Sequence, residues 1–263
     1  MKALTKYLEN RKDSITALIN KPIHTYTSDT FHQLRIEIKK LNAFIDLIKF
    51  CAPDFKRKKT AKPFKLLFRQ AGKVRELQLQ EEMIKKYHPG SSLKNYITGL
   101  KRMRLKEEET YFLLLNKKNT DRLKKNFPKI ISSLPAVTIK KAHKYLEQKN
   151  RAIQKLISQS TQQTNQVHEL RKQLKNLNYT MKSLSMETFN KPLSMNDDLP
   201  ELLGEWHDFQ AIIQHLIKSI DAGFVYPKEI VQLEKLKIKL RSISDRLFEK
   251  ITKALSDQQT GSL

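Results

Sequence analysis

An eleven-residue segment occurs twice in this chain. His32-Gln33-Leu34-Arg35-Ile36-Glu37-Ile38-Lys39-Lys40-Leu41-Asn42 returns 136 positions later as His168-Glu169-Leu170-Arg171-Lys172-Gln173-Leu174-Lys175-Asn176-Leu177-Asn178. Six of the eleven positions are identical. A weaker echo follows each copy in the same order. Gly72-Lys73-Val74-Arg75-Glu76-Leu77-Gln78 parallels Gly204-Glu205-Trp206-His207-Asp208-Phe209-Gln210, at an offset of 132. Two echoes in one order point to duplication of a unit of about 130 residues, an ordinary domain size. The duplication divides the chain into 1–135 and 136–263.

Each copy has helical periodicity. Phe31, Leu34, Ile38, Leu41, Ile45 and Ile48 step by three and four, as do Val167, Leu170, Leu174, Leu177, Met181 and Leu184. Such a seam packs against neighbouring helices. The rest of the chain follows suit. Amphipathic periodicity predicts helices near 2–20, 28–51, 62–88, 91–117, 119–132, 136–160, 163–186, 198–221 and 227–256. Proline and glycine mark breaks at Lys21-Pro22, Ala52-Pro53, His88-Pro89-Gly90, Leu134-Pro135, Lys191-Pro192 and Tyr226-Pro227, and Pro128 breaks or kinks the fifth helix. Thr27, Ser28 and Asp29 offer N-caps for the second. With 6 Gly in 263 residues and no sustained alternation, the expected fold class is all-α.

Beside each seam runs a second stripe: His32, Arg35, Lys39 and Asn42, then His168, Arg171, Lys175 and Asn178. Steps of three, four and three place the members on one helical face. With about 1.5 Å of rise per residue, the stripe offers a donor every ~5 Å along the axis. That suits successive groups of an extended anion, since Arg grips phosphate oxygens in a fork and Lys supplies a point charge. A solvated face with snorkelling stems would look similar. Solvation does not specify His at the head of both copies, however, and selective retention explains that recurrence better.

Charge agrees. The chain holds 51 Lys+Arg against 27 Asp+Glu, a formal net charge of +24. Residues 1–140 contribute 32 basic and 13 acidic side chains and the remainder 19 and 14, so the excess is +19 against +5. A polyanionic partner follows: nucleic acid, an anionic membrane surface or a phosphate chain. Glycine-rich phosphate loops are absent. The single cysteine, Cys51, forms no internal disulfide and supports no cysteine zinc site. His207 and His215, eight apart on one helix, lack the companion ligands a transition metal needs, and no metal or cofactor is expected. The first twenty residues carry no apolar targeting core and no run approaches ~18 apolar residues, so a cytoplasmic protein without membrane insertion is expected.

The paired motifs resemble the CHAD family, the histidine-bearing α-helical domain. The resemblance covers almost the whole chain. It implies two antiparallel four-helix bundles related by pseudo-twofold symmetry, one per half, with a basic groove or pore between them that binds inorganic polyphosphate. The ligand-facing positions it implies are His32, Arg35, Lys39 and Lys40, with His168, Arg171, Lys172 and Lys175. To these the trailing motif adds Arg75 and its counterpart His207, and the nearby basic helix adds Lys101 and Arg104. The implied role is a non-catalytic binding or targeting module, with polyphosphate granules as one setting. This chain has Lys39-Lys40-Leu41-Asn42 where many relatives carry an Arg/Lys pair and a further Arg; its second copy, Lys175-Asn176-Leu177-Asn178, has one cation fewer and His207 stands in place of Arg75, so the first half is expected to bind more strongly.

Further features have expected roles. Lys56-Arg57-Lys58-Lys59 and Lys62 read as a basic run between helices, either solvated or catching the end of a long polyanion. Glu76 and Asp208 are poor anion ligands and are expected to orient a neighbouring Arg or His. Trp206 is expected in the core. The alternative function is nucleic-acid binding, which net charge alone supports. Aromatics are 8% and not interleaved with the stripes, which serves base stacking poorly.

Overall fold

The structure is a computed structural model that describes residues 2–159, 164–185, 198–223 and 225–260. Ten α-helices follow in order among these residues: α1 (Lys2–Ile19), α2 (Ser28–Cys51), α3 (Arg57–Tyr87), α4 (Lys94–Leu114), α5 (Lys117–Lys124), α6 (Phe127–Ile131), α7 (Ile139–Gln159), α8 (Thr164–Ser183), α9 (Leu199–Asp221) and α10 (Pro227–Thr260). Short 3₁₀ turns at Ile23–Thr25 and Leu134–Ala136 join them, and no described residue lies in a strand. The all-α expectation holds. The Lys191-Pro192 break, and the expected helix ends at 160, 163 and 186, lie outside the described residues.

Two compact units form. Unit 1 comprises 1–75, 107–153 and 173–190; unit 2 comprises 76–106, 154–172 and 191–263. Each unit draws on both sequence halves.

In unit 1, α2 is the hub. Its expected seam is buried throughout, from Phe31 to Ile48. Thr27 caps it through a reciprocal box: the Thr27 hydroxyl accepts from the Thr30 amide at 3.3 Å, and the Thr30 hydroxyl accepts from the Thr27 amide at 3.2 Å. Tyr7 meets Phe44 (5.3 Å between centroids) while Arg11 pairs with Glu37 at 2.8 Å, so α1 runs antiparallel to α2. The contacts between α2 and the first part of α3 also pair descending with ascending numbers: Ser28 with Arg75, Arg35 with Phe68, Asp46 with Arg57. An aromatic cluster of Tyr26, Phe31 and Tyr111 packs directly before His32, with Phe31 and Tyr111 5.0 Å apart, edge to face.

Unit 2 is built on a hairpin of α9 and α10. Trp206 packs on Phe248 (5.6 Å), and the Gln210 amide donates to the Ser244 hydroxyl at 2.8 Å. Four residues forward on α9 is four back on α10, which makes the pair antiparallel. Trp206 is fully buried, as expected. The N-terminus of α4 is capped from a distant place in the chain. The carboxylate of Glu229, itself buried, accepts from the amides of Asn95 (2.9 Å) and Tyr96 (3.0 Å).

Several boundaries differ from the sequence expectation, among them the starts of α3 and α4. Helix α3 begins at Arg57, five residues early, and contains Pro63. Proline removes one helical hydrogen bond at this point, and the ion pair of Arg57 with Asp46 together with burial of Ala61 and Phe64 offsets that cost. The Lys56–Lys59 run is therefore largely helical and not a connecting loop. Helix α4 starts at Lys94, where the Glu229 cap sits. Pro128 breaks the fifth expected helix, as expected, and opens α6.

Candidate polyanion-binding faces

The stripe on α2 lies wholly in unit 1. His32 is exposed; Arg35, Lys39 and Lys40 are half-buried. Arg35 reaches α3, where its Nη1 donates to the Phe68 carbonyl at 2.9 Å and its guanidinium lies 4.2 Å from the Phe68 ring centroid. The carbonyl of a helical residue is shielded by the side chain four positions on. Here that residue is Gly72, and a Cβ there would fall on Arg35 Nη1. The glycine of the trailing motif thus makes room for the arginine of the leading motif. Lys39 extends beside the same ring, 5.9 Å from its centroid. Lys40 is held by Glu37 at 2.7 Å, and Glu37 also pairs with Arg11. Arg75 donates to the Ser28 hydroxyl at 2.5 Å, next to the start of α2.

The second stripe is organised differently. His168, Arg171 and Lys172 belong to unit 2 and Lys175 to unit 1. The His168 ring packs on Trp206 at 4.7 Å and stands edge-on to His207 at 5.3 Å. Burial is the main cause that pushes the His168 pKa down from its ordinary value; the charges of His207, Arg171 and Lys172 add to it. Lys172 pairs with Glu169 at 2.5 Å. Gly204, the counterpart of Gly72, has open space where its Cβ would be. The arginine-on-glycine latch of the first copy is therefore not reproduced at Gly204, and stacked rings occupy the second copy instead. Val167, Leu170, Leu174, Leu177 and Met181 of its seam are buried, whereas Leu184 is only half-buried.

Of the remaining candidates, Arg104 donates from Nε to the buried carboxylate of Glu81 at 2.8 Å, and Lys101 is exposed. Asp208 lies 3.3 Å from His207 Nδ1, and Glu76 lies 3.6 Å from His215 Nε2. Both acids sit beside histidines. Among the described residues, no three His, Cys, Asp or Glu side chains cluster as metal ligands, and no helix is long and apolar enough to cross a membrane.

The structural part of both motifs is now assigned: Gly72, Arg35, Arg75 and Ser28 lock α2 to α3. A sequence profile of the CHAD domain matches residues 20–217. The chain belongs to the CHAD family. Its fold is similar to that of the CHAD domain from the plant Ricinus communis, with a TM-score of 0.78 at 14% identity over 97% of this chain and 91% of that one. No curated protein matches. At that identity the crystal structure supports the CHAD fold alone.

Proposed function

We propose that this CHAD protein binds inorganic polyphosphate, with the stripes headed by His32 and His168 as the binding faces, and that it acts as a non-catalytic module. The observation that carries the reading is the recurrence of one His-Arg-Lys face in both copies of a strongly basic family member. The finer architecture the family likeness implies, two four-helix bundles with pseudo-twofold symmetry around a basic groove or pore, belongs to the same proposal, as does a cytoplasmic setting such as polyphosphate granules.

Residues divide by role within it. Arg35 and Arg75 are committed to holding α2 on α3 and present what remains of their donors from a fixed position. Lys39 and Lys175 are the point charges of the two faces. His32 and His168 donate a single N–H when neutral and two when protonated.

Lys39→Ala with Lys175→Ala tests the assignment. Each removes a charge without touching the seam. The double variant is expected to bind long-chain polyphosphate about tenfold more weakly, each lost cation contributing about 0.7 kcal/mol, with an unchanged melting temperature. Unchanged affinity would remove the stripes as the binding faces. Phosphate release from long chains in the presence of Mg²⁺ would contradict the non-catalytic assignment.

A further inference from the structure

Unit 1 carries a groove of about 500 Å³ between α3 and the α5–α6 segment. It lies on α3 away from the latch with α2, and of its lining only Lys59 and Lys62 carry an earlier expectation, as members of the basic run. One wall is a row on α3: Lys59, Lys62, Lys65 and Arg69. The opposite wall is Arg122, Lys125 and Lys129. Between them the lining is apolar, with Pro63, Leu66, Leu67 and Leu123. Packing fixes the two walls together, because Phe64 of α3 meets Phe127 of α6 edge to face at 5.3 Å and Leu123 and Ile130 are buried.

Three observations define what such a groove accepts. First, no acidic residue lines it, and among the described residues none of its seven cations is paired with a carboxylate. On the candidate polyphosphate faces, by contrast, Lys40 and Lys172 each have a carboxylate partner. Second, the cations form two rows. Lys59, Lys62 and Arg69 span ten residues of α3, about 15 Å, or three helical turns. Third, Leu66 leaves 43% of its surface exposed between the rows.

A bare phosphate chain gains nothing from hydrocarbon. A single-stranded nucleic acid needs ring faces to stack on, and no aromatic residue lines the groove. The matching ligand is an anion that also carries aliphatic groups at regular spacing. An acidic amphipathic peptide is that ligand: its carboxylates meet the two rows and its leucine-type side chains cover Leu66. The groove volume lies within the usual range of ligand clefts, about 300–1,000 Å³.

We propose that the α3/α5–α6 groove docks an acidic, leucine-bearing helical segment of a partner protein. The inference is independent of the polyphosphate reading. Anchor burial provides affinity and the two cation rows provide orientation and rate.

The test uses the full chain and fluorescence anisotropy. The probes are a labelled helix-forming peptide of Glu with Leu along one face, and an all-Glu peptide of the same length. The Glu/Leu peptide is expected to bind about tenfold more tightly than the all-Glu peptide, which corresponds to about 1.4 kcal/mol from the covered aliphatic surface. Leu66→Ser should erase that difference and leave long-chain polyphosphate affinity within about twofold. Arg69→Ala with Arg122→Ala should weaken both peptides. Equal binding of the two peptides, or indifference to Leu66→Ser, overturns the proposal. So does Leu66-dependent binding to phosphatidylglycerol vesicles in place of the peptide, because a lipid surface is then the occupant.

Discussion

At the scale of single residues, Gly72 and Gly204 separate two reasons for keeping glycine in a helix. A Cβ at 72 collides with Arg35 Nη1, whereas a Cβ at 204 meets nothing. Gly72→Ala is expected to displace the guanidinium from Phe68 and to cost about 1–3 kcal/mol in urea denaturation. Gly204→Ala, in the interior of α9, is expected to gain about 0.5–1 kcal/mol through helix propensity. Equal effects would remove the latch. His168 supplies a pH signature. Its folded pKa lies below the unfolded value of 6.5, so its contribution to stability is complete above pH 6.5 and declines as pH falls through the folded pKa. Urea midpoints of the wild type should fall between pH 7.5 and 5.5 more than those of His168→Gln. Polyphosphate has the opposite preference, since it favours the charged ring. Affinity should therefore rise as pH falls below neutrality, and less steeply in His168→Gln. The repeat made His168 conspicuous in the sequence. Its partner Trp206 was visible as a core residue, but their ring contact was not, because it joins residues 38 positions apart.

At the scale of elements, periodicity read α2 and α1 almost to the residue because the apolar seam of each stops at a sharp end. The misplacements have one cause: long-range contacts outweigh local signals. Periodicity placed the start of the third helix at residue 62, yet α3 begins at Arg57 and runs through Pro63 because Arg57 is tied to Asp46 on α2. The start of α4 is set by Glu229, which lies more than 130 positions away along the chain. Glu229→Ala is expected to cost about 1–3 kcal/mol, since the amides of Asn95 and Tyr96, the second of them buried, lose a charged acceptor. Glu229→Gln, which retains one oxygen, should lose less. Chemical denaturation distinguishes them, and a Gln variant as stable as the wild type beside a destabilised Ala variant would show that side-chain volume, not the charged cap, matters there. The α3/α5–α6 groove was only half legible. Lys59 and Lys62 stood out as part of a charge run, but Arg69, Arg122, Lys125 and Lys129 come together only after the fifth expected helix splits at Pro128.

For the whole molecule, duplication was the most legible property, and the CHAD fold followed from it. The equivalence of the two copies did not follow. The first copy anchors an arginine over a glycine and the second packs the His168 imidazole on an indole, although their sequences share six of eleven residues. The charge of +19 against +5 runs in the same direction, so removing Lys39 should lower affinity more than removing Lys175. Fluorescence titration of the two single variants with long-chain polyphosphate measures the difference, and equal losses would show that the copies contribute alike. Affinity should also fall linearly in log–log form with salt, as expected when a polyanion exchanges counterions for protein cations. The central claim is that the repeated faces select polyphosphate and not negative charge in general. A titration of the full chain at about 0.15 M salt, the ionic strength at which surface attraction is screened within ~8 Å, tests it most directly. Long-chain polyphosphate, a sulfate polymer of equal total charge and duplex DNA are compared. The account predicts that polyphosphate binds at least about tenfold more tightly than either, a margin of about 1.4 kcal/mol. Indistinguishable affinities for the three would contradict it.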